Sequence, residues 1–243
     1  MYESVSKVFE IGLGVIHKIQ ETQSEKLDLA GKMIARAHMA GHRFFVTGSG
    51  HSHAVAEDFY GRAGGLAFPV PILTTELTLV EHAIKSSYLE KLPGYAPILA
   101  ELYSISEGDV VLVVSNSGRN AYPVEMALCA KERGASVIAI TNVDHSTKTS
   151  SRHASGKKLM DLADIVIDNC GVEGDSAFTP EGMKAPICPT STMANAFMVQ
   201  AMVAACTEEM LKEGQEPPVF ISLNSDGNEA VNEVLFKKYT RQY

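Results

Sequence analysis

Apolar residues open the chain at helical intervals. Val5, Phe9, Leu13, Ile16 and Ile19 fall about one turn apart, and Leu27, Ala30, Met33, Ile34 and Ala37 repeat the rhythm. Thr22 followed by Glu25 has the spacing of a capping box, so two helices are expected, the second starting between these groups. Beyond Gly41 the rhythm changes to short, continuous apolar runs: RFFVTG at 43–48, FPVPIL at 68–73, VVLVVS at 110–115, SVIAIT at 136–141 and IVIDN at 165–169. Runs that are apolar at nearly every position suit strands buried on both faces, and helix-compatible segments separate most of them. The alternation predicts an α/β three-layer sandwich, a five-stranded parallel sheet with helices on both sides. Pro69 and Pro71 cannot donate to a ladder, which makes the second run an edge strand.

The sheet is expected to be doubly wound in the flavodoxin-like order, preceded by an N-terminal helical segment. Segment 121–133 reads as a crossover helix that Gly134 stops. A long apolar helix follows Pro189, and its methionines and alanines suit core packing or a subunit interface. Residues 213–218 read as a linker. The expected organisation is 1–41 as helices packing on the domain or on a partner subunit, and 42–243 as one ligand-binding domain with a C-terminal helix and tail.

Composition narrows the function classes. At 243 residues, with 45% hydrophobic and 21% charged residues, the chain can bury a full core. It has no apolar stretch of transmembrane length, and Glu3, Lys7, Glu10 and Lys18 interrupt the N-terminal apolar positions, so a cytoplasmic protein is expected. A net charge of −8 disfavours nucleic acid or an anionic membrane as partner, since both demand a basic surface. Cys129, Cys170, Cys188 and Cys206 form no CxxC pair, which points to buried free thiols and away from zinc or disulfides.

In open parallel sheets, ligands sit beyond the carboxyl ends of the strands. The first strand delivers Gly48, Ser49, Gly50, His51 and Ser52; the third delivers Ser115, Asn116, Ser117, Gly118, Arg119 and Asn120. Both are small polar bends at expected helix N-termini, where free N–H groups, hydroxyls and the helix dipole favour an anion. Either bend could also be a helix cap with no ligand. The glycine spacing lacks the third glycine of a dinucleotide fingerprint, the Gly-Lys-Ser/Thr of a P-loop and the GxSxG of a nucleophile elbow. No cofactor is expected. His51 and His53 stand two apart with no Cys/Glu/His set to complete a metal site, so no metal is expected either.

GSGHS and SNSGRN, each between strand and helix, together with PTSTMANAF opening a late helix, resemble the SIS (sugar isomerase) domain of phosphosugar isomerases and phosphosugar-binding proteins, over about residues 40–210. The resemblance implies a five-stranded parallel sheet, a phosphorylated sugar as ligand, and assembly as a homodimer or homotetramer. It implies that Ser52, Ser115 and Ser117 hold the phosphate and that Thr190, Ser191 and Thr192 touch the sugar. Asn120 stands where the family usually has threonine. AEDFYGRAGG resembles the phosphoheptose isomerase helix that supplies a catalytic glutamate, which falls on Glu57 or Asp58. The histidine those enzymes carry on the C-terminal helix has no counterpart, because no histidine follows His153.

Aldose–ketose isomerisation needs a base beside a carbonyl and donors for the enediolate. Glu57 is the first candidate for the base. Glu76, Glu81 and His82, after the second strand, could complete the pocket or help open the sugar ring; Glu173, and Lys157 or Lys158, are outlying candidates. The expected function is isomerisation of a phosphorylated sugar or amino sugar, the alternatives being a non-catalytic sugar-phosphate sensor and a phosphosugar lyase or etherase.

Overall fold

A computed structural model describes residues 2–224 and 229–239. Its elements run α1 (Glu3–Met39), β1 (Phe44–Gly48), α2 (Ala54–Phe59), β2 (Val70–Ile72), α3 (Lys85–Leu89), α4 (Tyr95–Leu102), β3 (Val110–Val114) and α5 (Ala121–Glu132). They continue with β4 (Ser136–Thr141), α6 (Val143–Thr147), β5 (Ile165–Asp168), β6 (Ser176–Phe178), β7 (Ile187–Pro189), α7 (Ser191–Lys212) and α8 (Glu229–Tyr239).

The five apolar runs form one parallel sheet in the order β2-β1-β3-β4-β5. Alternation along each strand divides the core in two. Phe44, Val46, Val110, Leu112 and Val114 face the layer of α1, α2 and α7, while Phe45, Val111 and Val113 face Leu99 of α4 and Tyr122 and Met126 of α5. Burial on both faces is the reason the runs carry no polar alternation. β2 is an edge strand, pairing only with β1 and placing Pro71 opposite Val46. Residues 40–43 connect α1 to β1.

The expected pair of N-terminal helices is one continuous helix of 37 residues. Its buried positions, from Val15 and Ile19 through Gln23 and Leu27 to Gly31 and Ile34, follow one stripe without interruption. Thr22 does not cap: its hydroxyl donates to the Lys18 carbonyl one turn back, at 2.7 Å. Gly31 lets α1 meet α7 backbone to backbone, since a Cβ there would lie 2.5 Å from Ala205 Cβ and 2.7 Å from the Met202 carbonyl oxygen.

The antiparallel pair β6 and β7 and the helix α8 were not expected from the sequence. In the stretch before α8, Ala67 and Gly64 donate to the carbonyls of Pro218 and Phe220, and Asn232 clasps both backbone groups of Ile221. Cys129, Cys170 and Cys206 are buried free thiols and Cys188 is half-buried. Among the described residues, no helix is long and apolar enough to cross a membrane.

Candidate functional site

The strand order sets the site. From β1 the chain crosses to β2 on one side and returns to β3 on the other, so β1 and β3 are neighbours whose connections leave in opposite directions. A crevice opens at such a switch point. Gly48 and Val114, the last residues of β1 and β3, stand opposite each other in the parallel register, so the bends that follow leave the sheet side by side. Ser49, Ser52, Ser115, Asn116 and Ser117 line one polar cavity of about 280 Å³, together with Glu90, His145, Gly174 and Asp175.

Each bend is held by its own backbone and its neighbours. A Cβ on Gly48 would lie 2.6 Å from the Ser52 carbonyl oxygen, so only glycine lets the first bend curl back on its strand. Gly50 donates to the Leu77 carbonyl at 2.8 Å. In the second bend the Ser115 hydroxyl accepts from Gly118 N–H at 3.1 Å, and the Gly118 carbonyl accepts from Leu159 N–H at 2.8 Å. The Asn116 carbonyl accepts from Asn142 N–H and the Thr141 hydroxyl, and its side-chain oxygen accepts from Asn169 at 2.6 Å. Residues at the ends of β4 and β5 therefore fix the bend that β3 delivers. Asn120 is buried, accepts from Arg152 at 3.1 Å and bonds Glu90 through its side chain.

Glu90 was not singled out from the sequence. It follows α3, and its partly buried carboxyl bonds the Ser49 and Asn120 side chains; burial raises its pKa above the usual carboxylate range, against the pull of those bonds and of Lys91 and Arg152. His145 is likewise absent from the sequence candidates, although it stands just after β4, at a strand end where ligands sit in such sheets.

The late loop, where the sugar contact is expected, is organised by one carboxylate. Thr190 is fully buried, and its hydroxyl and N–H both donate to Asp175. Ser191 donates to the same carboxylate through its N–H and its hydroxyl, each at 2.7 Å. Asp175 thus caps α7 and keeps both hydroxyls engaged. Thr192 borders a second cavity, of about 320 Å³, with His51, Glu57, Asp58, Arg62 and Asn195. The Gly50–His53 turn contributes to both cavities, Ser52 to the first and His51 to the second.

The remaining candidates scatter. The Glu57 side chain is 58% exposed and lies 3.3 Å from His53 Nε2, while His53 Nδ1 bonds the Gly50 carbonyl. Asp58 is ion-paired with Arg62. Glu76 and His82 lie on exposed turns outside both cavities, Glu76 accepting from the Tyr95 hydroxyl at 3.5 Å and His82 Nδ1 from Ile84 N–H at 3.3 Å. Glu81 pairs with Lys85 and exposed Glu173 with Lys148. Lys158 donates to the Ser146 and Thr149 carbonyls and so ties a loop. Among the described residues, no three His, Cys, Asp or Glu side chains are grouped to hold a metal ion.

The sequence and the fold are both similar to known proteins. The chain is 41% identical over 227 residues to the UPF0309 protein of Halalkalibacterium halodurans, covering 93% of this chain and 94% of that protein. Its fold is similar to the phosphoheptose isomerase of Neisseria gonorrhoeae, with a TM-score of 0.56 at 20% identity over 85% of this chain and 97% of that one. It is also similar to the NanR protein of Vibrio vulnificus, solved in complex with ManNAc-6P, with a TM-score of 0.54 at 14% identity over 98% of this chain and 71% of that one. At such identities the two structures show a shared fold. The model of the SIS domain matches residues 10–142, more than half of the chain, and with the strand order and the two bends already described the conclusion is direct: the chain belongs to the SIS domain family.

Proposed function

We propose that the protein binds a phosphorylated sugar or amino sugar at the tips of β1 and β3 and isomerises it between aldose and ketose by moving a proton. The observation that carries this reading is the convergence of Ser49, Ser52, Ser115 and Ser117 on one polar cavity at the switch point of the sheet. Among the described residues no lysine or arginine lines that cavity, so hydroxyls and backbone N–H groups are what would hold the phosphoryl group. In this reading Ser52, Ser115 and Ser117 carry most of the contact, with Asn120 bracing the second bend. The sugar end would extend past the Gly50–His53 turn toward His51 and Thr192.

A thermal-shift series tests it. Sugar phosphates should raise the melting temperature, the matching unphosphorylated sugars should not, and equal shifts from both would overturn the reading. Stabilisation without turnover would instead favour a sugar-phosphate sensor. We further propose a homo-oligomer in which a second copy covers Phe9 and Leu13 of α1 and Phe197 of α7, which are 68%, 55% and 57% exposed. Light scattering should give at least twice the chain mass, falling toward it for Phe9→Glu with Leu13→Glu; a monomeric wild type would contradict this.

A further inference from the structure

We infer that Glu90 and His145 are the proton-transfer pair of this site, a carboxyl and an imidazole brought from two different crossovers to the cavity that the serine bends border. The inference rests on the phosphosugar reading above and adds to it the groups that carry the reaction.

Both side chains line the 280 Å³ cavity with Ser49, Ser52, Ser115 and Ser117. Glu90 is fixed at its backbone on two sides: its N–H donates to the Ser86 carbonyl at 2.8 Å, and its carbonyl accepts from Tyr122 N–H, in the first turn of α5, at 2.9 Å. Its carboxyl bonds the Ser49 and Asn120 side chains, one from each bend. A carboxyl held at the junction of two anion-binding bends would repel a phosphate seated against it. It therefore suits the neighbouring carbon atoms of a bound ligand, and burial makes it a stronger base than a solvated carboxylate.

His145 comes from the other side. Asn142 caps α6 by accepting His145 N–H at 2.8 Å, which fixes the backbone of this residue immediately beyond β4. Its Nδ1 is shielded from solvent and has no hydrogen-bond partner among the described residues. A buried polar atom left unpaired is costly, and a ligand hydroxyl or carbonyl oxygen in the cavity would meet the ring. Glu57 lacks this setting: it is more than half exposed, paired with His53, and borders the other cavity.

The reaction balances within these groups. The Glu90 carboxylate takes the proton from the carbon beside the carbonyl, and the C–H electron pair becomes the double bond of an enediol as the carbonyl π pair moves onto oxygen. That oxygen takes a proton from the His145 ring. The neighbouring enediol hydroxyl then returns a proton to His145 and closes the new carbonyl. The double-bond pair takes the proton back from Glu90 at the former carbonyl carbon. One carbon is oxidised as its neighbour is reduced, so no outside redox partner is needed.

The test uses the full chain in deuterium oxide with glucose 6-phosphate, fructose 6-phosphate and glucosamine 6-phosphate, reading carbon-bound deuterium by mass spectrometry. Glu90→Gln keeps an acceptor for Ser49 and removes the base; His145→Gln removes the ring on a separate element, so one arm stands if the other variant misfolds. Each should lower kcat for exchange by at least ~100-fold, the low end for a general acid or base, with KM and the thermal shift from the same sugar phosphate changed only a few-fold. Exchange at the wild-type rate in either folded variant would overturn the pair. A wild type stabilised by these ligands but exchanging no deuterium would also overturn it while leaving phosphosugar binding in place. A wild type that none of them stabilises would remove the reading on which the pair rests.

Discussion

Asp175 shows how much one side chain arranges. It adopts φ +71°, a left-handed conformation rare outside glycine, and from there its carboxylate accepts from Thr190 N–H, Ser191 N–H and both hydroxyls. Asp175→Ala should therefore uncap α7 and lower unfolding stability by about 1–3 kcal/mol, read from the urea midpoint; an unchanged midpoint would show that the cap carries no stability. Glu173, two residues before Asp175, and the PTSTM segment that the family resemblance marks are separate candidates in the sequence. The sequence could not show that Asp175 belongs to Thr190, because their contact spans 15 residues and the β6–β7 pair that creates it leaves almost no local signal. His145 was legible by the same rule that found the serine bends. Glu90 was not, since nothing in SSYLEKL marks a short helix lying over the switch point.

At the level of elements, the strands were readable because burial on both faces writes a continuous apolar run, and all five runs are strands of the sheet. Helix breaks were less readable. Thr22 and Glu25 have the spacing of a start signal, yet the uninterrupted buried stripe of α1 overrides it and the Thr22 hydroxyl turns back to Lys18. Gly31 is a site of close backbone approach in the α1–α7 packing, and Gly31→Leu should force the two helices apart. The expected cost is about 1–3 kcal/mol, seen as a lower melting temperature with the far-ultraviolet spectrum retained. A variant as stable as wild type would mean that α1 can slide along α7 without loss.

The assembled fold also carries a pH dependence that no single element displays. His38 of α1 stacks on Phe68 at 3.7 Å and meets Tyr239 of α8 at 5.8 Å, joining the two ends of the chain to the segment before β2. Burial, with the Lys238 charge nearby, lowers its pKa from 6.5 to about 4. The unfolded chain therefore binds the proton first, so the contribution of this stack is intact above pH 6.5 and declines as pH falls from 6.5 toward 4. His38→Phe keeps the stack without the titration, and its stability should fall less than that of the wild type over this window; parallel curves would contradict the linkage. The same distance effect limits the sequence reading as a whole: strand tips can be located from local runs, whereas the carboxyl, imidazole and cap that surround them arrive from other crossovers.

The decisive experiment is a crystal structure with a sugar phosphate bound. The phosphoryl group should lie between the two bends, within hydrogen-bonding distance of Ser52, Ser115 and Ser117, and should be lost from the density in Ser115→Ala with Ser117→Ala. A phosphoryl group bound elsewhere on the molecule, with these three hydroxyls untouched, would contradict the convergence of β1 and β3 on a single anion.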